Sequence, residues 1–162
     1  MRRNVSWLAP VIIAAGAATL VAGAGTTITD LGPWYRGLKQ PGWAPPDWAF
    51  GVVWTTIFLL ATISAVTGWR KAPTQEAANA MVGLFAFNGF LNLLWSFLFF
   101  KLERPDWALI EVGLLWLSIA ALIVTLRRYS MLAALLLVPY LVWVSIAAAL
   151  NYAIVQLNQP FA

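Results

Sequence analysis

The residues able to do chemistry in this sequence are few. Asn88, Asn92 and Ser96 recur every four residues, Glu111 is the one acid inside a long apolar stretch, and Asn151 lies near the end of another. Four-residue spacing places Asn88, Asn92 and Ser96 on one face of a helix. Amides and hydroxyls so placed serve one of two ends, hydrogen bonding between helices or direct contact with a ligand. Glu111 carries a similar ambiguity: a lone carboxylate among apolar residues relays protons, meets a polar ligand, or snorkels or bonds to a neighbouring helix. The chain has no His and no Cys. That excludes disulfides, Cys/His zinc sites, Cys nucleophiles, His general bases and His-ligated haem, so neither a metal site nor a required cofactor is expected.

Aromatic residues are the second chemical resource, with ten Trp in the chain. Trp7, Trp34, Trp43, Trp48, Trp69 and Trp107 fall at the ends of apolar stretches or in the first loop, where aromatic belts meet the membrane interface. Trp54, Trp95, Trp116 and Trp143 sit deeper, and Trp54 with Phe58 makes a same-face pair at helical spacing. Deep aromatics either fill a core or wall a cavity. Walls of this kind with a few amides suit a flat, largely apolar ligand, because stacking supplies affinity and sparse polar groups set orientation.

The elements that must position these groups follow from composition. Of 162 residues, 62% are hydrophobic and 10% charged, against about 25% charged in soluble domains. Apolar stretches cover about 7–29, 48–69, 77–100, 107–126 and 131–157, each near the roughly 20 residues that cross a bilayer. The sequence therefore predicts an all-α protein, a single domain of five transmembrane helices joined by mostly short connections. Small residues in the first span, among them Ala14, Gly16, Ala18, Ala22 and Gly23, predict close helix approach. The loop 30–46, DLGPWYRGLKQPGWAPP, combines prolines with aromatics too apolar to be left in water, and reads as a lid over the bundle mouth or an anchor at the membrane surface.

Alternating the spans groups Arg2, Arg3, Arg70, Lys71, Arg127 and Arg128 on one side against Arg36, Lys39, Lys101 and Arg104 on the other. The positive-inside rule then predicts a cytoplasmic N-terminus. The net charge of +4 reads as topology and not as a nucleic-acid surface. A cleaved secretory signal is the lesser reading of the N-terminus, since the apolar run exceeds an h-region of about 7–15 residues.

Three blocks carry a resemblance to a known family. They are WYRGLKQPGWAPPDWAFGVVW from Trp34 to Trp54, NGFLNLLWSFLFF from Asn88 to Phe100, and PYLVWVSIAAALN from Pro139 to Asn151. Together with five spans in the same order, they make the chain similar to the TspO/MBR family, the translocator or tryptophan-rich sensory proteins, once called peripheral benzodiazepine receptors. The resemblance implies a ligand cavity lined by Tyr35, Trp54, Phe58, Asn88, Asn92, Trp95, Trp143 and Ala147, and it gives Glu111 a counterpart in relatives. Gln40 separates Lys39 from Pro41, and Asn88 stands where many relatives have Gln. No Lys or Arg follows Tyr152 within the proposed sterol pattern, so steroid binding is only weakly expected.

What the resemblance implies for function is a membrane receptor for porphyrins such as protoporphyrin IX, acting in tetrapyrrole regulation, transport or stress sensing. Trp34, Arg36, Lys39 and Trp43 would form the lid, with Arg36 or Lys39 pairing propionates. An alternative is light-dependent porphyrin breakdown, for which Trp54 and Trp143 are the catalytic candidates. A small-molecule transporter is a third reading, hinted at by Glu111 and Pro139. The resemblance also implies a bacterial membrane and a homodimer.

Overall fold

The computed structural model describes residues 8–161; Arg2, Arg3 and Trp7, to which the sequence assigns charge and belt roles, lie outside the described residues. Five helical spans among those residues are long and apolar enough to cross a membrane, and no strand occurs there. In chain order the helices are α1 (Leu8–Ile28), α2 (Pro33–Gly37), α3 (Asp47–Lys71), α4 (Gln75–Ser96), α5 (Pro105–Arg127), α6 (Met131–Leu136) and α7 (Val138–Asn158). A π-helical turn, Phe97–Lys101, extends α4. An apolar helix satisfies every backbone group within itself, which is why the long apolar runs become helices in lipid.

Local chemistry sets the ends. Asp47 lies in the first turn of α3 and Arg70 and Lys71 in its last, charges that complement the helix dipole. Thr74 caps α4 by accepting from the Ala77 N–H at 3.1 Å, and Ser130 caps α6 by accepting from the Ala133 N–H at 3.3 Å. Proline occupies the first turn of α2, α5 and α7, where a missing N–H costs nothing.

Two local features divide these segments further. The fifth span is broken at Leu137 into α6 and α7. Pro139 cannot donate to the carbonyl four residues back, and the Leu137 N–H instead bonds to the Ala134 carbonyl at 3.1 Å, a tighter turn. The loop 30–46 is also not all irregular, since α2 forms inside it.

The core is centred on α5, whose Leu115, Ile119, Leu122 and Leu126 are buried against α4, α6 and α7. Gly68 of α3 approaches this core closely, and a methyl group added there would collide with Leu126 and Met81. The close approach expected of α1 is present, since it packs against α3 and α4 and Gly89 of α4 comes up against Val21. A methyl at Gly16, Gly23 or Gly25 would meet nothing within 4 Å, and apart from Pro10 no described side chain of α1 is buried. The small face of α1 meets Ala61, Ala65, Ala86 and Gly89 across the bundle, so short side chains confront short side chains and leave space between the helices.

Candidate functional site: two cavities beside the first helix

That space is a pair of cavities walled by α1, α3 and α4. One, of about 650 Å³, lies toward the first loop and is lined by Asp47, Phe50, Trp54, Phe58, Asn92 and Ser96, with Ala22 and Gly25 on α1. The other, of about 690 Å³, lies toward the opposite end of the bundle and is lined by Ile13, Ala65, Trp69, Val82, Phe85, Asn88, Asn92 and Tyr140. Ala18, Phe58, Thr62 and Asn92 line both and so stand in the partition between them. Each volume falls in the range of about 300–1,000 Å³ that suits small-molecule ligands.

The same-face reading of Trp54 and Phe58 holds: their rings stack at 5.5 Å and 25°. Tyr140 meets the edge of Trp54 at 5.9 Å. The amide face of α4 is present too, and its hydrogen bonds run in one direction. Ser118 Oγ donates to the Leu115 carbonyl at 2.7 Å and therefore accepts from Asn88 Nδ2 at 2.8 Å. This leaves Asn88 Oδ1 to accept from the Tyr140 hydroxyl at 3.2 Å, and the Tyr140 oxygen to accept from Asn92 Nδ2 at 3.2 Å. Ser96 bonds to the Asn92 carbonyl at 3.3 Å. Asn88 and Asn92 thus tie α4 to α5 and α7, the interhelical role, and both also line a cavity. Tyr140 and Ser118, which complete the relay, were not singled out in the sequence; a Tyr inside an apolar span, needing a partner for its hydroxyl, is the signal that pointed to one of them.

The other residues named from the sequence go elsewhere. Trp95, Trp143 and Ala147 line neither cavity. Trp95 stacks on Phe99 at 5.2 Å and donates to Asn151 Oδ1 at 3.2 Å, while Asn151 Nδ2 donates to the Pro105 carbonyl at 2.8 Å. Asn151, buried, therefore pins α4, α5 and α7 together. Trp143 is buried edge-on against Phe50 at 5.5 Å, and its Nε1 has no hydrogen-bond partner among the described residues. Trp116, counted among the deep tryptophans, lies partly exposed on the outer surface, 37% accessible, and donates to Ser145 Oγ at 2.9 Å. Glu111 is buried and neither oxygen has a hydrogen-bond partner among the described residues, so it does not snorkel and is not bonded to any described helix.

The loop folds back over the bundle. Tyr35 is 5% exposed and packs on Phe100 at 5.7 Å, and Trp34 meets the edge of Phe99 at 6.0 Å. The π-helical turn aims both phenylalanines at the loop: one extra residue per turn, closed by the Leu102 N–H to Phe97 carbonyl bond at 3.0 Å, rotates them off the helix face that precedes them. Burial holds the Tyr35 hydroxyl above the usual phenol range, and the nearby Asp47 charge adds to this. Asn158, at the end of α7, clasps the Lys39 backbone, accepting from its N–H at 2.8 Å and donating to its carbonyl at 2.9 Å. The side chains of Arg36 and Lys39 are exposed, as is Trp43, 54% accessible. Trp48 and Trp107 are exposed at span ends, as a belt requires, and Arg104 lies 4.3 Å over the Trp107 ring while pairing with Asp106.

Comparison with known proteins matches residues 9–157 to the TspO/MBR family. The chain is 42% identical to tryptophan-rich protein TspO of Chlorobaculum tepidum, over 88% of this chain and 92% of that one. It is 39% identical to protein CrtK of Rhodobacter capsulatus, over 85% and 86% of the two chains. With the human translocator protein it shares 35% identity, over 75% and 72%.

Proposed function

The chain belongs to the TspO/MBR family and is a multi-pass membrane protein, and from that premise we propose that it binds porphyrins in the loop-side cavity. The observation that carries this reading is the aromatic wall of that cavity. Stacked Trp54 and Phe58, with Phe50 beside them, offer flat apolar surface, and Asn92 and Ser96 add polar groups at one edge. A tetrapyrrole has two large π faces and a charged rim. The faces stack on the aromatics, while the propionates reach the loop, where Arg36 and Lys39 supply cations. With no His or Cys in the chain, recognition rests on faces and rim and not on strong axial iron ligation. The N-terminus is cytoplasmic in this reading, following the six-to-four distribution of Lys and Arg.

Titration of tryptophan fluorescence with protoporphyrin IX in detergent or nanodiscs tests the proposal. Saturable quenching is expected, with affinity falling about tenfold or more in Trp54→Ala, the scale of a lost ring stack. Absence of saturation, or an unchanged affinity in Trp54→Ala, would overturn it.

A light-dependent breakdown of bound porphyrin is the second reading, favoured by Trp54, an oxidisable indole in the wall of the loop-side cavity with Tyr140 packed behind it. Oxygen and light supply the reactivity. An ordered product that disappears in Trp54→Phe supports it; identical bleaching with and without protein counts against it.

A further inference from the structure

The long helices differ in how they are fastened. Ser64 of α3 donates to the Ala133 carbonyl of α6 at 2.7 Å, and the amides of Asn88, Asn92 and Asn151 bond α4, α5 and α7 to one another. From Pro10 to Ile28, α1 has no such bond to another helix among the described residues, because the hydroxyls of Thr19, Thr26 and Thr27 each donate to an α1 carbonyl at 2.8 Å. It meets α3 and α4 through short side chains instead. Moving α1 therefore breaks only small dispersion contacts, whereas parting α4 from α7 breaks the bonds of buried amides.

The roof of the loop-side cavity is fastened as well. Trp34 and Tyr35 pack on Phe99 and Phe100, and Asn158 holds the Lys39 backbone by two bonds. The side of the same cavity is open. Thr19 and Thr26 of α1 and Gly51, Thr55 and Leu59 of α3 all line it and are exposed, so its rim follows the seam between these two helices. Both helices are membrane spans, which places that rim against lipid. At Thr29 and Asp47 the lining reaches the ends of the spans.

We propose that α1 is a lateral gate: it leans away from α3 and admits the occupant of the loop-side cavity from the bilayer, while the loop above stays shut. The identity of that occupant rests on the porphyrin reading; the motion does not. A porphyrin suits the route because its ring is an apolar slab that passes edge-first between two helices, while its propionates stay at the interface near Thr29 and are never drawn through hydrocarbon.

Two measurements on the full chain in nanodiscs test the gate, and since the chain has no Cys, introduced cysteines are its only thiols. The first uses no ligand. Spin labels on Leu20→Cys and Val52→Cys report α1 against α3, and labels on Leu114→Cys and Val52→Cys report α5 against the same point. The first pair is expected to show a broad distance distribution with a longer component, and the second pair a narrow one. Equal widths would overturn the proposal. In the second measurement a short bifunctional methanethiosulfonate joins Thr19→Cys to Thr55→Cys across the seam, and stopped-flow tryptophan quenching follows the entry of protoporphyrin IX. The tether is expected to slow association about tenfold or more, since entry then lacks the conformational change it needs. Cleaving the tether with reductant restores the rate, and a matching tether between Gln40→Cys and Gln159→Cys, which holds the loop to the end of α7, leaves it unchanged. Entry slowed by the loop tether and untouched by the seam tether would overturn the gate. Absence of saturable quenching in the unmodified chain is a failure of the porphyrin reading, and the spin labels then decide the gate by themselves.

Discussion

Replacing Asn151 by Leu tests how far polar pins, and not apolar packing alone, hold the bundle around its site. The substitution removes the donor to the Pro105 carbonyl, at 2.8 Å, and the acceptor for Trp95 Nε1, at 3.2 Å, at a residue that is 1% exposed. Hydrogen bonds between membrane helices contribute about 0.6 kcal/mol on average and up to about 1.7. Two of them therefore amount to about 1–3 kcal/mol, and Leu, similar in shape and fully apolar, keeps the packing loss small. Unfolding in mixed micelles of increasing denaturing-detergent content measures the change, in a double-mutant cycle with Trp95→Phe, which deletes only one of the two bonds. Asn151→Leu is expected to cost less in the Trp95→Phe background, by the share of the Trp95 bond, about 0.6 kcal/mol. An Asn151→Leu effect below about 0.5 kcal/mol, or one that is the same in both backgrounds to within the usual additivity error of about 0.3 kcal/mol, refutes the reasoning.

Asn158→Ala removes both bonds to the Lys39 backbone, and amide exchange at Lys39 is expected to quicken about tenfold in hydrogen-exchange mass spectrometry while α4 and α5 keep their protection. Gly68→Ala places a methyl group against Leu126 and Met81, so an overpacking cost of about 1–3 kcal/mol outweighs the roughly 1 kcal/mol gained in helix propensity; Gly16→Ala, with open space around it, keeps the gain, and thermal unfolding of the two variants should shift in opposite directions. Burial raises the Tyr35 phenol above its ordinary range, so the folded loop favours the neutral form. Loop closure is complete below about pH 10 and is lost as pH rises through the folded value, which Trp34 fluorescence follows and Tyr35→Phe should flatten.

How much of this could be read from the chain depends on the range of the interaction. Spans are a matter of local hydropathy, and their ends moved by only one or two residues, as at Asp47–Lys71 against the expected 48–69. The same-face spacing of Asn88, Asn92 and Ser96, and of Trp54 and Phe58, follows from helix geometry alone, and it held because an apolar run in lipid has no competing structure to adopt. Even the break near Pro139 has a local cause in the missing N–H, although the run of apolar residues around it hid the interruption.

Depth within the bundle and the choice of partner are another matter, because they depend on how helices rotate and pack. Trp54 and Trp116 look alike in sequence, yet one walls a cavity and the other faces outward toward Ser145. The small residues of α1 bring it up against α3 and α4, yet several of them also line open space because the facing positions are small as well, a coincidence that no single helix records. Asn88 and Asn92 were visible as polar groups, but the direction of their amides was set by Ser118 and Tyr140 from two other helices. What the sequence by itself determined was a five-span membrane protein with amides and aromatics at fixed helical spacing, since those follow from 3.6-residue geometry and bilayer solvation. Only the tertiary structure decided which of those groups share a cavity, because that depends on side chains 30 to 52 residues apart meeting across the bundle.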